Sequence, residues 1–235
     1  YETDNMISQD DFSLFDPQKM GASVLPDKPS NYIIVLRNTS SLPIKVQIST
    51  TPILTSFDYK EEKYNVVYVG KSSKSLRIRD YNQHFTGTAG YSTIRKSLGC
   101  LLGFKLIPRD INSPQNGKTE FNETDESVLT EWMKDNLLLF HYANNDYADI
   151  EKELIRIYNP PLNLQGNFNK INLNFRKELS ALRSCTSTKQ NSMSDNLLTS
   201  NAYSQYIQCS NCGINLTIDE GLKNEEYIKC LSCGC

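Results

Sequence analysis

The chain has 235 residues, enough for one domain or for one domain with an appendage. Its 25 Lys and Arg stand against 27 Asp and Glu, a net charge of -2 that excludes a uniformly basic nucleic-acid coat, so any polyanion site must be local. A 38% hydrophobic and 22% charged composition is globular, and no apolar run approaches the ~18 residues of a membrane span.

The N-terminal stretch YETDNMISQDDF is acidic and polar, with no basic segment leading into an apolar one, so no secretory signal is read in it. Pro17, Pro26 and Pro29 among small polar residues predict a loose arm over 1–29. From residue 30 the pattern changes. YIIVL at 32–36 and VVYVG at 66–70 are short β-branched runs between turn formers and are predicted strands, with a third at 137–140. Ser75 is placed to cap a helix running from Leu76 past Arg79, and Ser92 to cap one in which Ile94, Leu98, Leu101 and Leu102 share a face. Thr124 is placed to cap DESVLTEWMKDN, a helix expected to bury Val128, Leu129 and Trp132. A helix over 148–158 is predicted to bury Ile150, Leu154 and Ile157 and to stop ahead of Pro160-Pro161, since proline disfavours a helical residue before it. A last amphipathic helix is predicted at 173–182. The sum is a small α/β, or α+β, domain over 30–183.

Residues 184–206 are rich in Ser, Thr and Asn and read as a linker with one weak helix around 197–206. A separate module is expected at 207–235. There Cys209-x-x-Cys212-Gly213 is followed by Cys230-x-x-Cys233-Gly234, with seventeen residues between Cys212 and Cys230. Each pair puts two thiolates on one tight turn, and two such turns complete a tetrahedral S4 site, so these four cysteines are the predicted ligands of a structural Zn²⁺. A segment below ~40 residues rarely folds without metal or disulfides, which agrees with that reading. A thioredoxin-like redox pair would need one C-x-x-C beside a βαβ unit instead. Cys235 is read as a stray thiol, Cys100 as a core residue on its helix's apolar face, and Cys185 without a role. Seven cysteines, four of them so arranged, suit a reducing compartment, and the expected location is cytoplasmic.

Charge is segregated along the chain. Residues 69–109 carry eight bases and one acid, whereas 110–153 carry eleven acids and three bases. The basic lobe, with Tyr81, His84, Tyr91 and several hydroxyls, suits contact with phosphate, and Lys74, Arg77, Arg95 and Lys96 are the predicted DNA-binding residues. A solvated face with ordinary helix charges is the alternative.

Tyr32 on the first strand, Tyr68-Val69-Gly70-Lys71 closing the second, and Leu76 with Arg79 on the following helix resemble the GIY-YIG nuclease superfamily. Glu151-x-x-Leu154-Ile155 and Pro160-Pro161-Leu162-Asn163 are similar to that superfamily's Glu-x-x-Leu-Ile…Pro-x-x-Asn segment, and the resemblance spans about 30–183. The first motif here reads Ser30-Asn31-Tyr32 instead of Gly-Ile-Tyr, and the connection from Tyr32 to Tyr68 is longer than the usual hairpin, which keeps Tyr64 as an alternative tyrosine. One extra residue separates Gly70 from Arg79, which keeps Arg77 as an alternative arginine. The resemblance implies a small antiparallel sheet flanked by helices.

Phosphodiester hydrolysis needs a nucleophilic water, neutralised phosphoryl charge and a helped leaving oxygen. Glu151 is a hard oxygen ligand suited to Mg²⁺ or Mn²⁺, and Arg79 can clamp non-bridging oxygens bidentately. The resemblance implies Tyr32 as general base, Tyr68 and Lys71 shaping the water and phosphate site, and Asn163 orienting it; His84, one turn beyond Arg79, is placed to assist proton transfer. Glu153 and His141 are read as a surface acid and a structural histidine. The expected function is a metal-dependent DNA endonuclease with the ribbon assisting DNA or partner binding. A catalytically inactive nucleic-acid-binding or adaptor protein is the alternative.

Overall fold

The structure, a computed structural model, describes residues 8–184 and the backbone of 206–208 and 215–217. In chain order the first unit contains β1 (Ser13–Phe15), β2 (Ser30–Leu36), β3 (Ser56–Tyr59), β4 (Glu62–Ser72), a π-helix (Arg77–Phe85), α1 (Thr93–Leu101), β5 (Ile107–Pro108), β6 (Thr119–Glu120), α2 (Glu123–Asn136), β7 (Leu137–Ala143), α3 (Tyr147–Tyr158) and α4 (Leu173–Ser184). Five strands form one sheet in the order β1-β7-β2-β4-β3, with every neighbouring pair antiparallel. Among the described residues no helix is long and apolar enough to cross a membrane.

The middle strand explains the sheet. All seven residues of β2 are buried, because α1, α2, α4 and the π-helix cover one face while α3 covers the other. Tyr32, Ile34 and Leu36 join the first cluster and Ile33 and Val35 the second, as side chains alternate across a strand. A strand buried on both faces reads as a continuous apolar run, which is why YIIVL is conspicuous. Opposite Ile34 and Val35 the register slips by one residue, leaving Val67 as a bulge on β4, so Val67 and the neighbouring Tyr68 both pack into the first cluster.

The expected loose arm is not loose over its described part. β1 pairs with Leu139–His141 of β7, and Phe12, Phe15 and Leu25 are buried. A three-residue strand has no periodicity to read; its partner lies more than a hundred residues away. The long connection from β2 to β3 packs Leu42, Ile44, Val46 and Ile48 on the first cluster. The Glu178 carboxylate of α4 holds it, accepting from Ser49 N–H at 2.6 Å, Ser49 Oγ at 2.7 Å and Thr50 Oγ1 at 2.8 Å. Asn172 adds a two-bond clamp on the Ile53 backbone.

Two helical stripes are rotated from expectation. The cap of α2 is Asn122, whose side chain accepts from Asp125 N–H at 2.9 Å, not Thr124. Leu129 and Met133, four apart, point inward, which turns Val128 out to 51% exposure and leaves Trp132 partly buried. In α3 the buried set is Ile150, Leu154, Ile155 and Tyr158, and Ile157 is 43% exposed. That helix ends at Asn159, in the left-handed region at φ 42°, directly before the two prolines. Cys100 is buried in the core, as expected.

In the second unit β8 (Tyr206–Gln208) and β9 (Asn215–Thr217) pair antiparallel, with Gln208 opposite Asn215. The four predicted zinc ligands Cys209, Cys212, Cys230 and Cys233, and the linker up to Tyr206, lie outside the described residues.

Candidate active site

The β2–β4 pairing sets Tyr32 opposite Gly70. A Cβ at Gly70 would fall on the Tyr32 ring, so the glycine is what lets that ring cross the neighbouring strand into the cleft. Tyr32, Tyr68, Gly70, Lys71, Arg79 and Glu151 line a cleft of about 400 Å³, with Lys74 at its exposed rim.

The helix after β4 is wound as a π-helix, with Thr86 N–H donating to the Tyr81 carbonyl five residues back. The wider turn puts Arg79 and His84, five apart, on one side. Arg79 Nη1 donates to Gln83 Oε1 at 2.7 Å, and the guanidinium acts on the Tyr32 hydroxyl. The Tyr32 hydroxyl lies 2.8 Å from Nε2 of His84, and His84 Nδ1 lies 2.7 Å from Ser92 Oγ. Ser92 is the cap expected for α1 and accepts from Arg95 N–H at 3.3 Å. Tyr32, His84 and Ser92 thus form a buried hydrogen-bonded chain that begins in the cleft and ends at a helix cap.

On the far side of the cleft, Tyr68 Oη lies 3.0 Å from Thr93 Oγ1 and the Lys71 ammonium lies 2.8 Å from Glu151 Oε2. Asn163 is buried and bonds the Val69 backbone twice, accepting at 2.9 Å and donating at 2.8 Å. With Leu162 N–H donating to the Val67 carbonyl at 3.1 Å, it fastens the chain after α3 to β4. Asn163 therefore positions the strand that carries Tyr68 and Lys71.

The electrostatics follow from burial. Tyr32 is held well above the usual tyrosine range, first by desolvation and then by Asp80 and Tyr68, with Arg79 opposing. Tyr68 is raised for the same first reason. His84 is pushed well below its ordinary range by burial and then by the charges of Arg79 and Arg95, so it is a neutral ring that donates through one nitrogen and accepts through the other. Asp80 is fully buried with neither carboxyl oxygen hydrogen-bonded, and desolvation raises it well above the usual carboxylate range, with the Arg79 charge opposing.

Glu151 is the carboxylate that could hold a cation here. Among the described residues no three His, Cys, Asp or Glu side chains gather as a metal cluster. A single carboxylate still suits Mg²⁺, which keeps several waters and takes one or two carboxylates together with substrate phosphates. The Lys71 ammonium beside Glu151 marks the position as one where this carboxylate meets positive charge.

Several expected site residues lie elsewhere. Arg95, expected on the DNA-binding surface, is completely buried. It donates to Glu126 Oε2 from Nε at 3.1 Å and Nη2 at 2.7 Å, and to the His84 carbonyl at 3.0 Å, so it ties α1 to α2 and the π-helix. Counting charges along a sequence does not separate a buried cation from a surface one. Arg77 donates to the Leu25 carbonyl at 3.2 and 3.3 Å, anchoring the N-terminal segment, and does not line the cleft. Lys96 donates to Thr119 Oγ1 at 3.0 Å and faces a second cleft. Tyr64 packs on Phe140 in the other cluster, Glu153 pairs with Arg156 away from the cleft, and His141 is buried across from Tyr32 in the β2–β7 register. Asp80, Gln83 and Thr93 join the site without a motif of their own, and Ser92 was legible only as the cap of α1.

Comparison with known families matches residues 30–185 to the family model described as the GIY-YIG catalytic domain. Comparison with curated proteins and with solved structures finds no significant match.

Proposed function

The chain belongs to the GIY-YIG catalytic-domain family, and from that premise we propose that it is a DNA endonuclease working with Mg²⁺ or Mn²⁺. The reading rests on one observation: Tyr32, Tyr68, Lys71, Arg79 and Glu151 come from β2, β4, the π-helix and α3 to line a single cleft. Arg79 clamps the non-bridging oxygens of the scissile phosphate, and Lys71 and Lys74 add positive charge beside it. Tyr32 is held protonated by its burial, so it takes a proton from the attacking water only as it passes its own to Nε2 of His84. Phosphate binding offsets the Arg79 charge that helps hold His84 low, which favours that transfer. A divalent cation held by Glu151, when bound, would supply charge neutralisation at the phosphoryl group and the leaving oxygen. Asn163 acts on this chemistry through β4. In the C-terminal unit Cys209, Cys212, Cys230 and Cys233 hold a structural Zn²⁺, a reading supported by the pairing of Gln208 with Asn215 on either side of the first C-x-x-C.

Plasmid nicking in Mg²⁺ or Mn²⁺ tests the reading. Glu151→Gln is expected to lower the cleavage rate at least ~100-fold while DNA binding survives, and Glu153→Gln to stay within about twofold of wild type. Equal activity in the Glu151 variant, or loss confined to the Glu153 variant, overturns the assignment.

A further inference from the structure

Beside the first cleft lies a second of about 550 Å³, and Tyr68 and Glu151 line both. Its walls come from α1, the stretch around β6, α3, the loop that carries Asn163, and the last turn of α4. Two cations define its interior: Lys96 from α1 and Arg183 from α4. Among the described residues neither has a carboxylate within ion-pair distance. Their hydrogen-bond partners are neutral: Lys96 donates to Thr119 Oγ1 at 3.0 Å and Arg183 to Ser97 Oγ at 3.3 Å. Burial lowers both, and Arg183 lowers Lys96 further, so the fold holds two partly desolvated like charges together. Glu120, which acts on Lys96, bonds Thr88 instead, and Lys152 at the rim is paired with Asp149. Two such cations without a counter-ion cost stability, and an anion in the cleft would recover it. Hydroxyls of Thr93 and Ser180 share this lining with Ile155, Leu162 and Leu164, and Gly117 and Gly166 leave open space beside it.

We infer that this second cleft binds the sugar–phosphate backbone of the nucleic-acid strand whose scissile phosphate sits in the first, with Lys96 and Arg183 as the phosphate-contacting residues. The inference rests on the nucleic-acid part of the proposed function. A backbone is favoured over a free phosphate because the two clefts adjoin at Tyr68 and Glu151, which line both, and only a polyanion reaches from one to the other.

The test is the salt dependence of binding by the full chain to a fluorescent DNA duplex, measured by anisotropy in Ca²⁺ so that binding is read without depending on Mg²⁺-supported cutting. Removing one cation that neutralises a phosphate lowers the slope of log affinity against log salt by about 0.7–0.9. Arg183→Gln is expected to lower it by about that amount, and Lys96→Gln combined with Arg183→Gln by about twice as much. Arg183→Lys, which keeps the charge, is expected to hold the wild-type slope, and circular dichroism checks the fold of each variant. If the single and double Gln variants keep the wild-type slope, or wild type does not bind DNA, the inference is overturned. Stabilisation of wild type by inorganic phosphate that disappears in the variants while their DNA slopes stay unchanged would assign the cleft to a small anion and overturn it too. A parallel nicking assay in Mg²⁺ separates the two readings: reduced slopes without any cleavage by wild type leave this cleft a nucleic-acid site and reject the nuclease, whereas cleavage with unchanged slopes does the reverse.

Discussion

Gly70 makes the site possible because it has no side chain. With Tyr32 opposite it and the ring lying where a Cβ would be, Gly70→Ala forces the tyrosine out of its rotamer or β4 away from β2. The expected cost is about 1–3 kcal/mol in a urea titration, with nicking reduced more than that loss of folded protein explains. An Ala variant with wild-type stability and activity would show that the close approach does not matter. Burial acts on the histidines in a definable direction. His141 sits in β7 with Nε2 unpartnered and is lowered by burial to about 4, and His84 is lowered as well. A histidine lowered in the folded state opposes folding wherever the unfolded chain can protonate, so stability falls as pH drops below about 6.5, and for His141 goes on falling until about 4. His141→Leu is expected to flatten that acid limb between those two pH values. Urea midpoints measured across pH 4–7 check it, and parallel curves for variant and wild type would refute it.

At the scale of elements, what could be read depended on how far each signal reached along the chain. β2 stood out because burial on both faces gives seven consecutive core residues, while β1 and β3 are three and four residues long and are strands only because β7 and β4 pair with them. Glu151 and Asn163 were legible through motif spacing, and the structure puts them on α3 and on the loop that follows it. Asp80 was not legible, since its burial follows from the π-winding that also brings His84 to Tyr32. Arg95 reads as a surface base because its partner, Glu126, lies in the acidic stretch of the chain. The segregation of charge along the sequence is partly a buried ion pair between α1 and α2. Arg183, thirty-two residues beyond Glu151 and next to a polar linker, carries no motif; only the packing of α4 on α1 brings it to Lys96.

At the scale of the whole molecule, the strand pair β8–β9 needs a source of stability. The described pairing of β8 with β9 spans three residues on each side. A two-stranded ribbon of that length is marginal in water, so something else must supply the stability. Four thiolates on one Zn²⁺ would, because metal binding by a chain with no preformed site is itself folding free energy. Elemental analysis of the purified protein is then expected to give about one zinc per chain, and Cys212→Ser to lose it. The first unit has its own two apolar clusters, so its unfolding midpoint is expected to stay within about 2 °C of wild type in that variant while the tail becomes sensitive to protease. Zinc-free protein with a protease-resistant tail would reject the S4 site, and a fall in the main midpoint on zinc loss would show that the two units are energetically coupled.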